Sequence, residues 1–301
     1  MSQLVQVATG GDELSFAARV ISVWWQPFAL ILLLGWLYHS ILFRLAIQWC
    51  EDANFTHGFL VPPFALFIFW RQRLRFDGLP ARPSSWGLLM VAFSLGVLIV
   101  GVLGAELFLA RVSLLLVIAG LIVLFFGARR LRSMLFPLLF LILMIPIPAI
   151  VFDQITSPLQ VFASQLAAGV LPWLGVPVLR EGNIINLPSM SLEVAEACSG
   201  IRSLLSLITL AVIYGYSIRA AKWERVVLVL AAVPIAIVAN GLRIVVTGLL
   251  VQYWSPEEAE GFFHNFAGWL VFLTSLAMLF SLQQAFAWRT SERRPSSGIQ
   301  P

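Results

Sequence analysis

The run Glu196-Ala197-Cys198-Ser199-Gly200-Ile201-Arg202 puts a thiol where a polar stretch gives way to an apolar one. The chain has only two cysteines. Ser199 is a residue type that caps helices, and the apolar run after Gly200 reads as a helix, so Cys198 is expected at a helix N-terminus. Unpaired backbone N–H groups and the positive dipole end favour a thiolate there. The same N–H groups can receive the oxyanion of a tetrahedral intermediate. Gly200 lets a substrate backbone approach, and Arg202 adds positive charge one turn further on.

Two more residues fit the same chemistry. Arg243, in Asn240-Gly241-Leu242-Arg243, interrupts an apolar run, and a charge at membrane depth usually faces the protein interior. His264, in Gly261-Phe262-Phe263-His264-Asn265, stands where a polar loop enters the last apolar run. A thiol, a base and a cation are the minimum set for acyl transfer through a thioester, and such groups meet in the fold rather than in the chain. Each has a plainer reading. Cys198 could pair with Cys50 in an oxidising compartment. Arg243 could pair with Glu193 or Glu196, His264 could pack at an interface, and Arg202 could merely position its loop. His57 is the rival imidazole. No P-loop, dinucleotide glycine pattern, HExxH or GxSxG is present. The three histidines are scattered, so neither a metal nor another cofactor is expected.

The elements that carry these residues are membrane helices. Of 301 residues, 60% are hydrophobic and only 11% charged, and a spanning helix needs about 20 apolar residues. Eight spans are expected, near 26–46, 55–71, 86–104, 106–127, 133–152, 200–218, 225–252 and 265–288. The second is expected to kink at Pro62-Pro63, and the seventh to bend near Pro234 or unwind near Asn240-Gly241. The net charge of +4 reflects basic loops rather than a nucleic-acid surface. Arg71 to Arg82, Arg129 to Arg132, Arg219 to Arg225 and Arg289 to Arg294 alternate with loops poor in Lys and Arg. The positive-inside rule then puts both termini in the cytoplasm and Cys198, Arg243 and His264 toward the outer face. Trp24, Trp25, Trp49 and Trp254 suit interface belts, His39 is expected to pack within the first span, and Arg44 and Arg111 to snorkel.

The segment 153–199 is the one sizeable stretch outside the spans. Residues 158–174 read as an apolar helix interrupted by Pro172, interfacial or re-entrant. Gly182 to Ser189 and Ser191 to Glu196 read as a small β-hairpin leading to Cys198. The whole is an all-α polytopic membrane protein: a cytoplasmic segment 1–25, a membrane domain 26–288 and a disordered tail 289–301. No cleavable signal peptide is evident, and the first helix reads as a retained anchor.

The runs Cys198-Ser199-Gly200-Ile201-Arg202-Ser203-Leu204 and Asn240-Gly241-Leu242-Arg243-Ile244, together with His264 and His57-Gly58-Phe59-Leu60-Val61-Pro62-Pro63, resemble the exosortase/archaeosortase family over roughly residues 30–285. That resemblance implies a membrane-embedded cysteine protease or transpeptidase. Its partners would be proteins whose C-terminal sorting signal joins a short motif, a transmembrane helix and a basic cluster. Cys198 would be the acyl-thioester nucleophile, Arg243 and His264 its partners, with Ser199, Gly200, Arg202 and Asn240 in support. The setting implied is the inner membrane, with the site facing outward. The rival readings are a polysaccharide-export transporter, which needs paired intramembrane polar sites or inverted repeats, and a non-catalytic scaffold of such a system.

Overall fold

The computed structural model describes residues 10–188, 190–193, 200–218, 220–253 and 262–292, with side chains described over 28–188, 190–192, 202–218, 220–253 and 269–288. Nine α-helices lie among these residues: α1 Gly10–Glu51, α2 Val61–Asp77, α3 Trp86–Leu103, α4 Leu107–Phe126, α5 Ala128–Phe140, α6 Ala149–Val170, α7 Gly200–Ser217, α8 Lys222–Tyr253 and α9 Phe262–Glu292. Among the described residues, six helical segments are long and apolar enough to cross a membrane, or seven if a bent pair is one span. Eight is therefore not reached by this measure. The shortfall is in α5, which is cut short, and in α7, of which the described part Arg202–Ser217 is a shorter apolar helix.

The bent pair is the main departure from the expected fifth span. After α5, a 3-10 helix Leu141–Met144 leads into Ile145-Pro146-Ile147-Pro148, and α6 leaves at 82° to what precedes it. A residue before proline is pushed into extended backbone. Ile145 has ψ 117 and Pro148 ψ 141, so no helix passes through. The helix expected at 158–174 thus starts earlier, at Ala149, holds Pro158 inside it, and ends in a 3-10 turn Leu171–Leu174 containing Pro172.

Other expectations shift for equally local reasons. Pro62 and Pro63 do not kink a helix; they start α2, because proline suits the first turn, where its missing N–H is no loss. The preceding residues Ala53–Leu60 form a 3-10 helix capped by Asp52, whose Oδ1 accepts from the Asn54 N–H at 2.9 Å. Helix α8 is continuous over 32 residues, through Pro234 and Asn240-Gly241 alike, with no unwinding. The β-hairpin is a three-stranded antiparallel sheet, β1 Leu179–Glu181, β2 Ile184–Asn186 and β3 Ser191–Glu193, in the order β1-β2-β3.

Helices α3 and α4 pack backbone to backbone. A Cβ on Gly87 would run into the Leu124 main chain, and one on Gly101 into that of Ala110. Small residues let membrane helices approach this closely. At the α4–α5 junction, Gly127 has φ +88, and its missing Cβ leaves room for the Arg82 carbonyl. Arg130 reaches across to donate twice to the Leu79 oxygen, at 3.0 and 2.8 Å, with its guanidinium over the Phe76 and Phe126 rings. Two of the basic connections are thereby fastened together at one end of the bundle.

The other end is built differently. Ile185, Leu187 and Leu192 of the sheet region pack on Ala163, Ala167 and Leu171 of the α6 segment and on Ile244, Val245 and Val251 of α8. The Ser164 hydroxyl donates to the Gly182 oxygen at 3.1 Å, holding the β1–β2 turn on α6. Deeper in, Leu204, Leu207 and Ala211 of α7 meet Leu228, Ala232, Ile235 and Ala236 of α8 and Leu279 of α9. The Tyr214 hydroxyl donates to Gln283 Oε1 at 2.8 Å, joining α7 to α9.

Three side chains sit elsewhere than expected. Trp49 is not an interface residue: it is buried against Gly58 and donates its indole N–H to the Met144 oxygen at 2.9 Å. His39 does not pack inside the bundle but is exposed beside Trp36, whose backbone oxygen lies 2.7 Å from its Nδ1. Arg44 is exposed, but Arg111 does not snorkel, being only 3% exposed. Cys50 is free and exposed.

Candidate functional site

The strand β3 and the helix α7 bracket the Cys198 segment. Cys198 and Ser199 lie outside the described residues, and with them any pairing of Cys198 to Cys50. Gly200 is the first described residue of α7. The start of α7 packs beside the 3-10 helix Ala53–Leu60. Between them is a pocket of about 480 Å³, lined by Thr56 and His57, by Arg202, Ser203, Ser206 and Thr209, and by Trp269 and Phe272 of α9, with Leu60 and Leu210. One wall is therefore hydroxyl-bearing and cationic, and the other aromatic.

His57 is held firmly. It is 7% exposed, and its Nε2–H donates to the Leu143 oxygen at 3.2 Å. Its Nδ1 is buried, and the Asn54 backbone interacts with the ring. Phe55 lies between this imidazole and Phe152 of α6, tilted to both, at ring-centroid distances of 6.4 and 5.9 Å. The corner at 141–148 thus supplies both the acceptor for His57 and, through Met144, the acceptor for Trp49. Arg202 is exposed at the mouth of the pocket, one turn into α7.

Asn240 and Arg243 both lie buried on α8, each 5% exposed, in the half of the helix that packs under α6. Neighbouring Gly241 is closed over by the Leu166 side chain. Arg243 makes an interaction of its own in this setting. His264 is in the first turn of α9, and its side chain lies outside the described ones.

The structure therefore brings Arg202 together with His57, the rival imidazole. It puts Arg243 and Asn240 in the interior of the adjoining helix. Thr56, Ser203, Ser206, Thr209, Trp269 and Phe272 were not singled out in the sequence. For three of them the signal was there: Arg202, Ser203, Ser206 and Thr209 recur at helical spacing and form a polar stripe on an apolar helix.

A family model described as transmembrane exosortase matches residues 49–281, well over half of the chain and inclusive of every site residue named above. No curated protein and no solved structure matches it.

Proposed function

Because the chain belongs to the transmembrane exosortase family, we propose that it is a cysteine protease/transpeptidase that acts on membrane-anchored proteins at a C-terminal sorting signal. Membership supports a transpeptidase-type function in a multi-pass membrane protein. The observation that carries the finer reading is the pocket of His57, Arg202, Ser203, Ser206 and Thr209 beside the start of α7, which Cys198 immediately precedes in the chain.

In this reading the Cys198 thiolate attacks a backbone carbonyl of the sorting motif. The oxyanion is received by N–H groups at the α7 N-terminus and by a cation, Arg243 or Arg202. The C–N bond breaks, and the tail helix leaves as an amine that takes a proton from an imidazole. Water or an amine acceptor then attacks the thioester, releasing the thiolate. His264 carries the proton, and Ser199, Gly200 and Asn240 shape the approach. Two of the basic connections are fastened together at the end of α2 opposite the one beside this pocket, which fits a site at the outer face of an inner membrane.

A second assignment of the proton rests on one observation: His57 lines the pocket together with Arg202. Trapping tests the chemistry. Incubation with a sorting-signal substrate, followed by acid quench and peptide mass analysis, should show the substrate acyl group on Cys198, released by hydroxylamine. An acyl group on another residue, or none under single-turnover conditions, contradicts the thioester.

A further inference from the structure

Arg111 is the least expected side chain in the molecule. It sits in the second turn of α4, is 3% exposed, and leaves Nε and Nη2 without a hydrogen-bond partner. A buried cation of this kind is costly unless an anion meets it. Glu106 interacts with it electrostatically, but that carboxylate is turned to the Phe108 N–H at 3.1 Å, and no ion pair forms between the two.

The side chain borders a cavity of about 520 Å³ between the end of α1 and the start of α4. Arg44, Gln48, Glu51 and Asp52 line it with Arg111, along with Ile47 and Leu107. The charges have not closed on one another: among the described residues no ion pair joins them. Asp52 is partly committed to capping the Asn54 N–H, whereas Glu51 is exposed. The lining apolar residues Ile47 and Leu107 are exposed, as is Phe43 next to them on α1. This cavity shares no lining residue with the pocket of His57 and Arg202.

We propose that this cavity binds the zwitterionic headgroup of a phospholipid, with its phosphate at Arg111 and Arg44 and its ammonium toward Glu51. Guanidinium groups suit phosphate through paired, charge-assisted hydrogen bonds. Both signs of charge on one wall match a phosphate joined to an amine better than a lone anion. The exposed apolar residues at the rim give the acyl chains a surface that a soluble phosphate would not use. The site is independent of the proposed transpeptidation.

Native mass spectrometry of the full chain released from detergent tests this. Short-chain phosphatidylethanolamine, short-chain phosphatidylglycerol and inorganic phosphate are titrated separately. Phosphatidylethanolamine should give one saturable adduct, weakened at least tenfold in both Arg111→Gln and Arg44→Gln. Glu51→Gln should erase the preference for ethanolamine over glycerol. Equal binding by both arginine variants overturns the site, and inorganic phosphate binding as tightly as the lipid overturns the lipid assignment. Should Arg111→Gln fail to fold, the exposed positions Arg44 and Glu51 decide alone.

Discussion

The indole N–H of Trp49 donates to the main-chain oxygen of Met144 at 2.9 Å, tying the end of α1 to the corner between α5 and α6. The neighbouring Leu143 oxygen receives His57. One short stretch of irregular backbone therefore fixes both the tryptophan and the imidazole that walls the pocket. Gly58 is part of the same arrangement, because a Cβ there would strike the Trp49 ring. Gly58→Ala should destabilise the protein by about 1–3 kcal/mol, as overpacking usually does. The check is thermal unfolding in detergent, with Gly96→Ala as control. The added Cβ at Gly96 meets nothing within 4 Å, so that variant should melt no lower than the parent.

The α3–α4 seam predicts a steeper loss. At Gly87 the obstacle to a Cβ is the Leu124 main chain, with its Cα at 2.5 Å, rather than a side chain. A ring can rotate away, but a helix backbone must shift as a whole. Gly87→Ala should therefore lower the melting temperature more than Gly58→Ala does. The opposite order would mean that the two helices slide apart easily.

Much of this architecture was legible in the residues. The expected span 200–218 matches α7, and the apolar helix expected at 158–174 is present as the later part of α6 and its 3-10 turn with Pro172. Pro146 and Pro148 signalled a break inside the run 133–152, which was read as one span, but its 82° angle was not legible, because that depends on what α6 packs against. Strand β1 is three residues long, too short for a periodicity. The burial of Arg111 and Trp49 depends on which helices meet them, and nothing within a single helix encodes that. At the site, the polar stripe of α7 could be read from spacing alone. That Thr56, His57 and Trp269 close over it could not, because those residues come from opposite ends of the chain.

Arg243 separates a catalytic from a structural cation. Its side chain is 5% exposed. If it stabilises the oxyanion, Arg243→Lys should slow substrate processing by about 100-fold or more while the melting temperature stays near the parent's. Processing and melting temperature falling together would assign it to packing. Single-turnover cleavage of a sorting-signal substrate in proteoliposomes, beside thermal unfolding, reads both.

The two imidazoles can be ranked in the same assay. Loss of a general acid–base typically costs about 100-fold to 10,000-fold. His264→Gln should fall in that range, and His57→Gln should cost less, since its Nε2–H is already given to the Leu143 oxygen. The reverse ranking would move the proton to His57.

The central claim stands or falls on Cys198. A substrate carrying a C-terminal sorting signal is co-expressed with the parent chain, with Cys198→Ser and with Cys198→Ala, and tail release is followed by gel shift. Both variants should insert in the membrane at parental levels and leave the substrate at full length. Processing at the parental rate by either one would contradict the thioester account and favour a non-catalytic scaffold.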